Sequence, residues 1–241
     1  MKKYHYLSVI LPILSLFGCN SPNLNEAIIL FDRSDQIAIK NLEKEKVAPF
    51  LLNEVLELDD NDLLSQGVNI TISSIGSTSI QYTESVALPT GGSFLSRTEK
   101  NRKEEIENFK SDISKHVQMI AIPSKELSQT VLMHNLCEHL NTLATSKASK
   151  KSILIWSDML HNTSEVSFYH YRNNPSQILE HYENLAAKMD KICLLPSLYN
   201  ITVTIVYLPT EKTDRLFQAA RTFWSKYLQD YGAEVNFLPN I

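Results

Sequence analysis

Five apolar residues at positions 27–31 lead directly into an oxygen-rich segment that begins at Asp32. A continuous apolar run of this length, rich in isoleucine, is typical of a strand buried on both faces of a parallel sheet. Open α/β sheets bind their ligands beyond the carboxyl ends of such strands. We therefore expect the chain to fold around this strand, with Asp32 where a ligand would bind. The residues alone leave one alternative open, in which Asp32 and Ser34 only cap the strand exit and Asp35 begins a helix.

A second segment, at residues 151–156, is apolar from Ile153 onward and ends in the same way, with Ser157 and Asp158. Further strand patterns are found at residues 67–76, 79–88, 201–209 and 233–238. Amphipathic helical patterns separate most of these segments, and this alternation implies right-handed crossovers. The sequence therefore predicts an α/β fold in three layers, with a mostly parallel central sheet and helices on both faces. Parallel strands end at one edge of the sheet, so we expect Asp32 and Asp158 to lie at the same edge.

The composition is that of one ordinary globular domain, with 241 residues, 43% of them hydrophobic and 21% charged. A net charge of -4 gives no sign of a nucleic-acid-binding surface. Three cysteines are too few for a disulfide framework. We interpret Cys137 and Cys193 as buried thiols, although the sequence leaves their pairing open. Glycine-rich dinucleotide or phosphate-binding motifs and Cys-x-x-Cys pairs do not occur, which weakens most cofactor-dependent enzyme hypotheses.

The N-terminus has the pattern of an export signal. Lys2 and Lys3 precede an apolar segment at residues 6–17, which is too short for a membrane span and fits a secretory signal. The segment ends Leu-Phe-Gly-Cys at residues 16–19, which resembles a bacterial lipobox, although Phe17 is bulkier than the usual residue there. An ordinary signal peptide cut nearby is the alternative.

The lipobox predicts a division of the chain into a signal peptide at residues 1–18, a tether at 19–26 and a domain at 27–241. Cys19 would then carry the lipid and anchor the protein to the membrane of the bacterial cell envelope. Asn20 is not the aspartate that favours retention in the inner membrane. We therefore expect the outer membrane if the cell is Gram-negative.

The cluster that begins at Asp32 has the chemistry of a cation site. Asp32, Ser34 and Asp35 offer hard oxygen atoms, which Mg²⁺ and Ca²⁺ prefer as ligands. Two carboxylates that meet at one point repel each other unless a cation offsets their charge. If Asp32 and Asp158 do meet, a divalent cation between them is the physical expectation.

Over about residues 26–238, the chain resembles the von Willebrand factor type A family. The resemblance rests on the order of strands and helices and on three segments: Asp32-Arg33-Ser34, Ile155-Trp156-Ser157-Asp158, and the stretch from Phe223-Trp224 to Gly232-Ala233-Glu234-Val235. The family's metal-ion-dependent adhesion site uses an Asp-x-Ser-x-Ser loop, a threonine before a central helix and an aspartate after a later strand.

This resemblance implies a ligand set for Mg²⁺, or for Mn²⁺ or Ca²⁺, that consists of Asp32, Ser34, Gln36, either Ser128 or Thr130, and Asp158. The spacing does not decide between Ser128 and Thr130. Gln36 stands where the family has its second serine, and an amide oxygen would coordinate more weakly. Met159 stands where the family usually has glycine.

The function that the resemblance implies is a metal-dependent protein-binding module in the cell envelope, with no catalytic residues. In such sites an acidic side chain of a protein partner completes the coordination of the ion. The long, aromatic-rich segment at residues 162–172 is either part of the recognition surface or a packed surface loop.

Two other hypotheses remain open. A phosphatase of the haloacid dehalogenase type also has an aspartate after its first strand, but it needs a second carboxylate where this chain has Ser34. A scaffold with the same fold and no metal is the third hypothesis.

Overall fold

The computed structural model of the chain describes residues 23–75, 82–91, 99–122, 130–207 and 214–239. Six strands form one sheet: β1 (Leu24–Asp32), β2 (Gly67–Ile75), β3 (Tyr82–Leu88), β4 (Lys150–Trp156), β5 (Ile201–Val206) and β6 (Glu234–Leu238). The helices are α1 (Gln36–Asn41), α2 (Lys44–Phe50), α3 (Asp60–Ser65), α4 (Glu99–Ile120), α5 (Leu132–Thr145), α6 (Gln177–Glu180), α7 (Tyr182–Ile192) and α8 (Asp214–Asp230). A π-helical turn at Leu51–Val55 continues α2, and a 3₁₀ turn spans Phe168–Tyr171.

The strand order across the sheet is β3-β2-β1-β4-β5-β6. All neighbouring pairs are parallel except β2 and β3, which are antiparallel. The predicted three-layer α/β fold with a Rossmann-like strand order is therefore confirmed. The direction of β3 was not predicted. The order reverses between β1 and β4, and this reversal opens a crevice at the carboxyl edge of the sheet.

Two hydrophobic layers sandwich the sheet, and β1 supplies both of them. Ile28 and Leu30 point to the side covered by α5 to α8, while Ile29 and Phe31 point to the side covered by α2 and α4. Since side chains alternate along a strand, a continuous apolar run is what a strand covered on both faces requires. At the end of this run, Phe31 stacks on Trp156 of β4 with ring centroids 5.1 Å apart. This contact holds the ends of β1 and β4 in register.

Strand β1 begins at Leu24, so the boundary predicted between tether and domain at residues 26 and 27 is wrong. Leu24, Asn25 and Glu26 pair with β2, and Asn25 and Glu26 also pair with β4. The buried Asn25 amide donates to Gln66 Oε1 at 2.9 Å. These polar residues belong to the sheet because its backbone and side-chain partners satisfy their hydrogen bonds.

Cys137 on α5 and Cys193, just after α7, form a disulfide, with their Cα atoms 6.2 Å apart. The interpretation of both residues as unpaired thiols is therefore wrong. Neither residue carries a local signal of pairing, because the two lie 56 positions apart and meet only when α5 and α7 pack together.

Gly232 ends α8, as its position in the sequence predicts. Its φ of +97° lies in the left-handed region, which favours glycine. Its N–H donates to Gln229 O at 2.8 Å, and the N–H of Ala233 donates to Leu228 O at 3.1 Å. These two bonds are those of a Schellman motif, which turns the chain from α8 into β6. Within the described ranges, no helix combines the length and apolarity that crossing a membrane requires.

Candidate metal centre

The candidate site lies at the carboxyl edge of the sheet, in the crevice between β1 and β4. Phe31 of β1 pairs with Trp156 of β4, so the residues that follow them, Asp32 at the end of β1 and Ser157 just beyond β4, lie side by side. This is the position at which the strand order reverses and at which open α/β sheets bind ligands. The prediction that Asp32 and Asp158 lie at one edge agrees with this arrangement.

The carboxylate of Asp32 is fully buried and is held by hydrogen bonds on both oxygens. Oδ1 accepts from the backbone N–H of Ser34 at 2.9 Å and from its hydroxyl at 2.6 Å. Oδ2 accepts from the Ser157 hydroxyl at 2.8 Å. Burial raises the pKa of Asp32, and the hydrogen bonds from Ser34 and Ser157 partly offset that rise. The side chain is thus fixed in position while its negative charge remains poorly solvated.

Thr130 brings a third element of the chain to the same place. Its hydroxyl lies 2.6 Å from the hydroxyl of Ser34. Two backbone hydrogen bonds of 3.1 Å join Thr130 to Asn162 and fix the threonine just before α5. Of the two residues proposed for the threonine ligand, Thr130 therefore meets Ser34, while Ser128 lies outside the described residues.

Asp158 lies partly buried in the turn after β4, where its Oδ1 accepts from the N–H of Leu160 at 2.9 Å. Burial raises its pKa well above the ordinary value, and repulsion from Asp32 and Asp35 raises it further. Hydrogen bonds from Leu160 and from the side chain of Tyr169 act in the opposite direction. Burial and repulsion together therefore disfavour the charged form of Asp158 when no cation is near.

Met159 shapes the turn that presents Asp158. Its φ is 56°, which is the left-handed region that glycine adopts without strain. Two hydrogen bonds hold this backbone: the Met159 N–H donates to Ser157 Oγ at 2.9 Å, and Trp224 Nε1 donates to Met159 O at 2.8 Å. Glycine was the residue expected at this position from the resemblance to the family. The left-handed backbone of Met159 is a conformation that glycine adopts without strain.

Hydrogen bonds join three of the predicted residues, namely Asp32, Ser34 and Thr130, and Asp158 follows β4 at the same edge of the sheet. Gln36 is the first residue of α1, but its side chain lies outside the described part of the chain, as do Ser128 and Cys19 entirely.

Two residues of the site, Ser157 and Tyr169, were not among the predicted ligands, and Asp35 was predicted only as one of the hard oxygen donors of the first cluster. A hydroxyl directly before Asp158 was a usable signal for Ser157. Nothing in the sequence indicated that Tyr169, eleven positions further on, would bend back to Asp158.

The donor set fits a hard divalent cation. Carboxylate and hydroxyl oxygens are the ligands of Mg²⁺, Mn²⁺ and Ca²⁺, and the mutual repulsion of the carboxylates is the charge pattern that a cation relieves. A group of three or more His, Cys, Asp and Glu side chains arranged to hold a metal does not occur among the described residues, so hydroxyls have to complete the set. Asp32 and Asp158, with Ser34 and Thr130, are the residues that would hold the ion.

No known family model matches the chain, and no curated protein matches it either. Among solved structures it is similar to the human COPII-coat protein Sec24c, with 12% identity, a TM-score of 0.42, and coverage of 90% of this chain and 29% of that one. It is also similar to proximal thread matrix protein 1 (PTMP1) from the mussel byssus, solved with a zinc-occupied MIDAS motif. That match has 14% identity, a TM-score of 0.41, and coverage of 91% of this chain and 44% of that one.

A third similar structure is an aerotolerance-related membrane protein from Bacteroides fragilis, with 10% identity, a TM-score of 0.40, and coverage of 88% of this chain and 90% of that one. The chain spans less than half the length of the Sec24c and PTMP1 chains. At these identities and TM-scores, the similarities say nothing about what this chain binds.

Proposed function

We propose that the chain is a protein-interaction module that holds a divalent cation, preferentially Mg²⁺, at the carboxyl edge of its sheet. Through that ion it would bind an acidic side chain of a protein partner. One observation carries the proposal: hydrogen bonds join Asp32, Ser34 and Thr130 at the crevice where the strand order reverses, and Asp158 follows β4 at the same crevice.

Each residue has a distinct part in this proposal. Ser34 and Thr130 present hydroxyl oxygens 2.6 Å apart, and Asp32 and Asp158 supply negative charge. Ser157 orients Asp32 without facing the ion, as residues behind a metal ligand commonly do. When bound, the ion supplies a Lewis-acidic position that an external carboxylate can occupy. Protein side chains fill only part of its coordination, which leaves room for the partner.

The segment at residues 162–172 forms the neighbouring surface in this proposal. Asn162 is tied to Thr130, and Tyr169 is 40% exposed while hydrogen-bonded to Asp158. A partner residue that reaches the ion would therefore contact this segment as well. Aromatic side chains of this kind are enriched in protein interfaces.

The cellular setting is a further part of the proposal. The lipobox-like residues 16–19 support lipidation at Cys19 and anchoring in the bacterial envelope, and Asn20 supports placement in the outer membrane of a Gram-negative cell. The disulfide between Cys137 and Cys193 supports an oxidising compartment, because disulfides persist outside the cytosol. Palmitate labelling of wild type and of Cys19→Ala in a bacterial host tests the anchor, and label that survives the substitution would contradict it.

A phosphatase is not the function we propose, because Ser34 occupies the position of the second carboxylate and its hydroxyl already contacts Asp32 and Thr130. Hydrolysis of p-nitrophenyl phosphate by the full chain with Mg²⁺, abolished in Asp32→Asn, would overturn that view.

Isothermal titration of the full-length chain with MgCl₂ and MnCl₂ tests the cation site. We expect saturable binding by wild type and by Asp112→Asn, a variant at an exposed position of α4, and none by Asp32→Asn. Absence of saturable binding by wild type would favour the metal-free scaffold.

Capture of envelope proteins on the immobilised chain tests the partner. We expect capture that both EDTA and Asp32→Asn abolish. Capture insensitive to both would contradict an ion-mediated contact.

A further inference from the structure

A second recess lies at the opposite, amino-terminal edge of the sheet, under β4, β5 and β6. It has a volume of about 600 Å³, which is within the usual range of small-molecule sites, about 300–1,000 Å³. On this face the helical layer ends with the turn at Leu51–Val55, which packs against β4. Glu234 and Asn236 of β6 are exposed beyond it. The step from helical layer to open sheet forms a groove whose floor is the sheet and whose wall is that turn.

Polar side chains line the floor of this groove in two cross-strand rows. Ser152, Thr202 and Glu234 are paired neighbours on β4, β5 and β6, and Thr204 and Asn236 form the next row. Adjacent rows and strands are separated by about 5–7 Å, from the geometry of a sheet. Hydroxyl, amide and carboxylate groups are therefore presented at regular intervals along the groove.

Two of these hydroxyls are held in the floor without a hydrogen bond. Ser152 is 3% exposed and Thr204 is 4% exposed. Neither hydroxyl has a hydrogen-bond partner within the described ranges, and both residues line the groove. A polar group that is largely buried and unpaired is costly unless water or a ligand satisfies it.

The charges around the groove nearly cancel. Lys150 forms an ion pair with Glu57 at 2.5 Å and also donates to Leu56 O at 2.8 Å. Lys151 contributes a positive charge, while Glu54 and Glu234 contribute negative ones. This balance disfavours a strongly charged ligand of either sign, and the polar floor disfavours an apolar one. The ring of Tyr199, which is 74% exposed, lies at the rim as a flat apolar face.

We propose that this groove is a binding site for a neutral saccharide of two or three rings. Such a ligand carries many hydroxyls at spacings of a few ångströms, which match the Ser152, Thr202, Thr204 and Asn236 side chains. The C–H face of a sugar ring also packs well on an exposed aromatic ring, which Tyr199 provides. The groove lies at the opposite edge from Asp32, so its function does not depend on the proposed cation site.

Isothermal titration of the full-length chain with tri-N-acetylchitotriose and with maltotriose, in a detergent without sugar groups, tests this proposal. We expect saturable binding of at least one of them. Thr204→Val, which removes the hydroxyl and keeps the shape, should raise the Kd about three- to tenfold, the effect of one or two lost hydrogen bonds. Tyr199→Ala should raise it by a similar factor. Thr71→Val, on the far face of β2, should bind like wild type, and so should Asp32→Asn.

Several results would overturn the proposal. The first is that neither saccharide binds saturably. The second is saccharide binding that Thr204→Val and Tyr199→Ala leave unchanged. The third is equal binding of trialanine, which would identify a peptide groove instead. Circular dichroism of each variant establishes that its fold is retained. Since Asp32→Asn removes only the cation site, failure of one proposal is distinguishable from failure of the other.

Discussion

The hydroxyl of Ser157 donates a hydrogen bond of 2.8 Å to Oδ2 of Asp32 and thereby joins the exits of β4 and β1. The same oxygen, Ser157 Oγ, accepts the N–H of Met159 at 2.9 Å. One side chain therefore fixes the carboxylate that follows the first strand and the turn that carries Asp158. Its position couples the two halves of the proposed cation site.

Removal of this link should weaken cation binding without removing a ligand. In Ser157→Ala, we expect the Kd for Mg²⁺ to rise about 10- to 100-fold, the usual effect of losing a group that orients a ligand. Titration calorimetry measures the change. Ser114→Ala, on α4, is the matched control and should bind like wild type. Unchanged affinity in Ser157→Ala would mean that Asp32 does not need this partner.

The left-handed backbone at Met159 predicts an order of stability between two variants. Both Met159→Gly and Met159→Ala lose the part of this side chain beyond Cβ, and Met159 is 0% exposed. Alanine retains the strain of a φ of 56°, whereas glycine does not, so we expect the glycine variant to be more stable by about 1 kcal/mol. Urea unfolding gives both free energies. An alanine variant of equal or higher stability would contradict the left-handed turn.

The buried imidazole of His139 predicts a loss of stability in acid. Burial lowers its pKa to about 4 in the folded chain, whereas an unfolded histidine has a pKa of about 6.5. Between these values the unfolded state binds more protons, so the free energy of unfolding should fall as the pH decreases from about 6.5 to about 4. The contribution is on the order of 3 kcal/mol.

Urea unfolding at a series of pH values tests this dependence. His139→Gln should flatten the decline, while His181→Gln, at an exposed position, should leave it unchanged. His161, whose pKa burial also lowers to about 4, should account for part of the slope that remains. An identical slope in His139→Gln and wild type would show that His139 is not neutral when folded.

The disulfide between Cys137 and Cys193 should stabilise the chain mainly by restricting its unfolded state. It closes a loop of 56 positions, for which the chain-entropy model gives about 4 kcal/mol. We expect the double variant Cys137→Ala with Cys193→Ala to lose about 2–4 kcal/mol in urea unfolding. Thiol counting by mass spectrometry on protein exported from a bacterial host gives the redox state. Two reactive thiols at these positions would contradict the pairing.

The fold could be predicted from the sequence because its central strand has a continuous apolar pattern. A strand covered on both faces has to be apolar throughout, and residues 27–31 meet that condition. The direction of β3 and the start of β1 at Leu24 could not be predicted, because polar residues such as Asn25 become part of a sheet only through partners distant in the sequence.

In the candidate site, too, the residues at strand ends could be predicted, and those placed by tertiary contacts could not. Asp32 and Asp158 could be predicted because each lies at the carboxyl end of an apolar strand, and parallel strands end at one edge. Thr130 could not be separated from Ser128 by spacing, since its position depends on hydrogen bonds to Asn162. Tyr169 and the disulfide depend on how loops and helices pack, which no local pattern records.

The most direct measurement of the central claim is the anomalous diffraction of a crystal of the chain grown with MnCl₂. We predict a manganese peak within coordination distance of Ser34 Oγ and Thr130 Oγ1, with Asp32 and Asp158 bound to the ion directly or through its water molecules. A map with no peak at the crevice between β1 and β4, from crystals in which Mn²⁺ is present at saturating concentration, would contradict the claim that these carboxylates converge to hold a cation.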